Sequence, residues 1–185
     1  MFQGCSYIKS LDLSSFNTKK TTDMGAMFKG CTRLVEVNIK SFDTRSVLNM
    51  YNMFTKCSGL TSLDLSNFDT SRVGDMEGMF TGCTDLKSIN TRSFDTSKVT
   101  DMSNMFSYCY ALDTLDISNY NTMQVYNMSM MFAYTGLISL DLSNFKTENV
   151  RNMEGMFQNS RSLETVAVSS FDPRKVATMK YMLVA

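Results

Sequence analysis

A Met-Phe pair returns at Met1, Met27, Met53, Met79, Met105 and Met131, each step 26 residues long. A one-residue deletion near Tyr134-Thr135-Gly136 brings the next pair to Met156, and Met182-Leu183 closes the series. Other columns keep the same phase. Cys5, Cys31, Cys57, Cys83 and Cys109 all lie four residues after the Met. Phe16, Phe42, Phe68, Phe94, Tyr120, Phe145 and Phe171 form an aromatic column, and Met24 to Met179 a second methionine column. A fixed period of this length is the mark of a repeat architecture, and it restricts the chain more than any other feature.

One unit can be read from Val73 to Val99. Met76, Met79, Phe80 and Cys83 stand at i, i+3, i+4 and i+7, which predicts one face of a short helix. Asp75 fits its N-cap and Gly82 its left-handed stop. The cap column runs Asp23, Asn49, Asp75, Asp101, Asn127 and Asn152, ending on Thr178. Leu60-Thr-Ser-Leu63-Asp-Leu65 then alternates apolar and polar residues as a half-buried strand does, and it has the Leu-x-x-Leu-x-Leu form of leucine-rich repeats. Residues 69–73 lead back to the next helix.

A unit with one strand and one helix cannot close its own core. Stacking units at the parallel-strand spacing, roughly 4.8 Å, turns each apolar column into a buried stripe. The expected fold is an α/β repeat solenoid, leucine-rich-repeat-like, of about seven 26-residue coils. Parallel strands line one face and short helices the other. Residues 1–185 form a single domain, expected to be a piece of a longer chain.

The run Leu-Asp-Leu-Ser-Asn-Phe-Asp-Thr-Ser-x-Val-x-x-Met-x-x-Met-Phe-x-x-Cys at residues 63–83 recurs, with substitutions, six more times. It resembles the 26-residue repeat of bacterial surface proteins, the DUF285 or BspA-like group. The resemblance spans essentially the whole chain. It implies a secreted or surface-anchored, adhesion-type protein without enzymatic activity, and so an extracellular or cell-surface location. The stretch Met1 to Cys5 has no basic segment leading into an apolar run, so no signal peptide is read.

Eighteen basic and eighteen acidic residues leave no net charge, hence no general pull toward nucleic acid or anionic membranes. No apolar stretch is long enough to span a bilayer. With no histidine, no G-x-S-x-G and no phosphate-binding glycine loop, catalysis finds little footing. No cofactor or metal is expected. Cysteines spaced by 26 do not match zinc-ligand spacing, and five is an odd number for disulfides. They read as small inward hydrophobes, and the methionine columns as core filler.

Two sets of residues invite a binding role. Tyr108 and Tyr134 share one register, Tyr110 is nearby, and the register otherwise holds Gly4, Gly30, Lys56 and Gly82. These three tyrosines are expected to form an aromatic patch at the edge between the helix and strand faces, set against local packing around the deletion. The outward column Asp12, Asn38, Asp64, Asn90, Asp116, Asp141 alternates acid and amide until Asp116 meets Asp141. That pair is a candidate cation site, although hydrogen bonding of such side chains along the ladder is the favoured reading. Thr18, Thr44, Thr70, Thr96, Thr122 and Thr147 make a threonine column, better read as turn caps than as an ice-binding array. The expected function is protein or glycan binding. The alternative is a structural spacer or self-assembling unit, whose partners are further copies of itself or of its parent chain.

Overall fold

The computed structural model describes residues 1–183. Six three-residue strands pair in parallel: β1 (Ser10–Asp12) with β2 (Glu36–Asn38), β3 (Ser62–Asp64) with β4 (Ser88–Asn90), and β5 (Ser139–Asp141) with β6 (Thr165–Ala167). Partners in all three pairs are 26 residues apart, such as Leu11 with Val37, so each position of the repeat faces the same position of the next unit. On the opposite side, parallel bridges join Asp23 to Asn49, Asn49 to Asp75, Asp75 to Asp101, Asp101 to Asn127, Asn127 to Asn152 and Asn152 to Thr178. Each unit therefore lies alongside its successor.

The helices predicted from the Met-Phe segments do not form. Among the described residues the sole helical element is one 3-10 turn, Pro173–Lys175. The N–H groups of Met24, Ala26, Phe28 and Gly30 donate outward, to the carbonyls of Asn49, Tyr51, Met53 and Thr55 in the next unit. Those between them, on Met27, Lys29 and Cys31, donate three residues back to Met24, Ala26 and Phe28. No N–H is left for the i→i−4 bond of an α-helix. The result is a string of tight turns with left-handed backbone at two positions per unit, four residues apart. One column is Ala26, Asn52, Gly78, Asn104, Met130, Gly155 and Tyr181; the other is Gly4, Gly30, Lys56, Gly82, Tyr108, Tyr134 and Asn159. The expected left-handed Gly82 is present at φ 72°, but it ends a turn. Asp75 likewise accepts from the N–H of Glu77 at 2.9 Å, closing an Asx turn in place of capping a helix.

Residues expected to face inward do so in the middle units, whereas Met1 and Met179 at the ends of their columns are exposed and Cys5 is only partly buried. Met76, Met79, Phe80 and Cys83 are all fully buried, because a four-residue turn repeat aligns the same positions that a helix would. Phe2, Phe28, Phe54, Phe80, Phe106, Phe132 and Phe157 stack one above another with ring centroids 5.2–5.9 Å apart. Each such contact contributes about 0.5–1.5 kcal/mol beyond the area it buries. The cysteines are free thiols. Those of Cys31, Cys57, Cys83 and Cys109 donate to the carbonyls of Phe2, Phe28, Phe54 and Phe80 in the preceding unit at 3.1–3.2 Å. Where the column changes to Ser160, its hydroxyl bonds the Phe132 carbonyl instead. The threonine column is buried too. Thr44 accepts from the N–H of Asp69 at 2.7 Å and donates to that residue's carbonyl at 2.9 Å, clipping one corner to the next.

The strand face is interrupted. Backbone pairing closes between units 1 and 2, 3 and 4, and 6 and 7, whereas residues 114–116 of unit 5 pair with neither neighbour. One side-chain column follows this alternation. At the closed junctions a serine reaches back to the preceding unit: Ser41 to the Leu13 carbonyl, Ser93 to Leu65 and Ser170 to Leu142, at 3.0–3.1 Å. At the open junctions the residue is asparagine. The amide of Asn67 donates to the carbonyls of Ile39 and Phe42, that of Asn119 to Thr91 and Phe94, and that of Asn144 to Ile117 and Tyr120. The longer side chain supplies two donors and spans a wider gap, so it satisfies carbonyls that the ladder leaves free.

Candidate binding edge and strand-face grooves

Tyr108 follows the turn that ends Phe106-Ser107, and Tyr134 holds the equivalent place one unit on. Their rings stack at 4.4 Å and 10°, and Tyr110 meets Tyr108 edge-on at 6.1 Å and 79°. The three tyrosines expected to gather are thus in mutual contact. Tyr108 and Tyr134 are half-buried, and Tyr110 is 54% exposed. Burial, with the phenols of Tyr134 and Tyr110 close by, pushes the Tyr108 phenol above its ordinary pKa. Both stacked tyrosines have left-handed backbone, φ 61° and 59°, where units 1, 2 and 4 place glycine. Holding a bulky residue there costs on the order of 1–3 kcal/mol, so stability alone would favour glycine.

The deletion shapes the adjoining surface. Unit 6 runs directly from Thr135 through Gly136 to Leu137, one residue short, and Gly136 is drawn beneath the Tyr110 carbonyl. A Cβ at position 136 would collide with that carbonyl oxygen, so the position accepts only glycine. A hollow of about 390 Å³ opens over it, lined by Tyr110, Tyr134, Thr135, Gly136, Asn159, Arg161 and Ser162. Sequence reasoning found the tyrosines and the deletion but not Arg161 or Asn159. The missing residue was itself the signal, because shortening one loop between two longer ones leaves a recess.

On the strand face the alternating acids and amides behave as expected. The amide of Asn38 donates to the Asp12 carboxylate and that of Asn90 to Asp64, both at 3.0 Å. These bonds lie in the closed junctions. At the open junctions of units 4 to 6, a groove of about 580 Å³ is lined by residues including Asn90, Arg92, Thr114, Asp116, Ser139 and Asp141. A second, of about 330 Å³, lies between β2 and β3.

Asp116 and Asp141 share the larger groove but do not form an acid pair. The hydroxyl and N–H of Ser118 hold the Asp116 carboxyl below its usual pKa, with a smaller contribution from Arg92, whose Nε lies 3.4 Å away. The N–H of Ser143 does the same for Asp141. Like charges in contact would raise each other. Asn144 stands at this open junction, and each carboxylate is met locally.

Comparison with known families then places the chain. The model for the family described as "Mycoplasma protein of unknown function, DUF285" matches residues 1–92 and 82–185. The chain belongs to the DUF285 family. No curated protein matches it. The family description assigns no activity, so within DUF285 the chain's own residues carry any functional argument. No helix among the described residues is long and apolar enough to cross a membrane.

Proposed function

We propose that this DUF285 chain is a continuous solenoid acting outside the cell as a non-catalytic module that binds protein or glycan, with the tyrosine edge as its principal contact. One observation carries the reading: two stacked tyrosines on successive units occupy left-handed positions that units 1, 2 and 4 give to glycine and units 3 and 7 to Lys56 and Asn159. Strained, part-exposed aromatics next to a recess are a poor investment for folding and a good one for recognition, where binding energy concentrates in aromatic and arginine side chains. The extracellular location follows from the resemblance to bacterial surface repeats, and the lack of histidine supports a non-catalytic role.

The test exploits the repeat. Tyr108→Gly and Tyr134→Gly restore the residue of units 1, 2 and 4, so the variant should fold at least as stably as the wild type. Combined with Tyr110→Ala, it should lose wild-type binding on a printed array of glycans and peptides. Unchanged binding rules out the tyrosine edge. The interchangeable bonds between neighbouring units also favour a spacer or assembly role. Concentration-dependent filaments in sedimentation, with a blank array, would establish that reading instead.

A further inference from the structure

The recess over Gly136 has opposed walls of different chemistry. Tyr110 belongs to unit 5 and Arg161 to unit 7, with the shortened loop of unit 6 as the floor between them. Two unit spacings set such walls roughly 9.6 Å apart. Van der Waals contact takes about 3.5–4 Å at each wall, leaving a slab about 2 Å thick for the atoms of a guest. That is one six-membered ring, lying flat. The tyrosine side offers an apolar surface to the C–H face of such a ring. The opposite side offers a guanidinium, and Arg161 takes part in none of the three ion pairs among the described residues. Asn159 and Ser162 complete a polar rim. An aromatic guest would leave that rim unused, and a neutral sugar would leave the guanidinium without a counter-charge.

We infer that this recess binds a carboxylate-bearing pyranose, a uronic-acid-type sugar residue, stacked on Tyr110 with its carboxylate on Arg161. The inference rests on the binding role proposed above and names the chemistry of its ligand. Arginine matches a carboxylate with paired, charge-assisted hydrogen bonds, so the acid should bind about tenfold more tightly than its neutral counterpart.

The experiment titrates the isotope-labelled chain with a glucuronate-terminated trisaccharide and, separately, with the glucose-terminated analogue, following backbone amides by NMR. The amides of Gly136 and Arg161 should shift with the glucuronate ligand. Arg161→Met should reduce its affinity to that of the glucose ligand, and Tyr110→Ala should weaken both. Equal affinity of the two sugars for the wild-type chain, or shifts confined to the strand face, would overturn the inference. So would tighter binding of an acetylated Glu-containing tripeptide than of the glucuronate ligand. Should neither sugar perturb Gly136 while the tyrosine variant still loses its array partner, the binding role stands and the sugar assignment falls.

Discussion

Thr91 and Tyr120 offer a sharp test of how the core tolerates polarity. Both are almost completely buried, and neither hydroxyl oxygen has a hydrogen-bond partner. Thr91 fills a column otherwise held by Leu13, Ile39, Leu65, Ile117, Leu142 and Val168; Tyr120 fills the phenylalanine column and stacks on Phe94 at 6.4 Å. Thr91 is close enough to act on the Tyr120 phenol, yet burial dominates and pushes that phenol's pKa upward. A buried hydroxyl with no partner costs about 1–3 kcal/mol. Tyr120→Phe removes one, and a void of about 10 Å³ returns only some 0.2 kcal/mol of that gain. Thr91→Val removes the other at nearly constant volume. Each single variant should therefore be more stable by about 1 kcal/mol or more; because the two side chains are neighbours, the double variant measures their coupling and need not equal the sum of the two gains. Urea unfolding reads this as a higher midpoint at unchanged slope. Should each single variant be destabilised while the double is neutral, the hydroxyls bond each other and the reasoning fails.

Three further outcomes are expected. Asn67→Ser should let units 2 and 3 close, giving the Ile39 N–H the Asp64 carbonyl as partner, as Leu13 has Asn38; hydrogen exchange at Ile39 should slow at least about tenfold, and unchanged exchange would show that the Ser/Asn column does not set the spacing. At neutral pH a small alkylating reagent should label Cys5 quickly and the other four cysteines only after unfolding, because burial raises the thiol pKa of Cys31, Cys57, Cys83 and Cys109, the last to about 12. Arg45 holds the Asp43 carboxyl at about 2, below its unfolded value near 3.9. That contribution to stability is present above about pH 4 and lost as the pH falls toward 2; carboxyl NMR titration should show a midpoint near 2 that rises in Arg45→Gln.

The sequence exposed the period, the inward columns and the strand positions, because burial depends only on which residues recur. It misassigned the Met-Phe segments because, over eight residues, a four-residue turn repeat and a 3.6-residue helix bury the same positions. Gly and Asn at two sites four apart, as at Gly78 and Gly82 or Gly155 and Asn159, carried the missing information about left-handed backbone. The breaks in the strand face depended on a one-atom-scale difference between Ser and Asn, and periodicity alone does not weigh side-chain reach. The tyrosine cluster was legible from register. Its recess required knowing how a short loop settles between longer ones.

One side of the molecule carries bridges at every junction from Asp23 to Thr178, while the other is joined only at alternate intervals, with two breaks in succession around unit 5. An elastic body built this way has a stiff back and a slotted front. Bending such a body opens or narrows the slots while the back keeps its length, and the two adjacent slots flank unit 5, the unit that also bears Tyr108 and Tyr110.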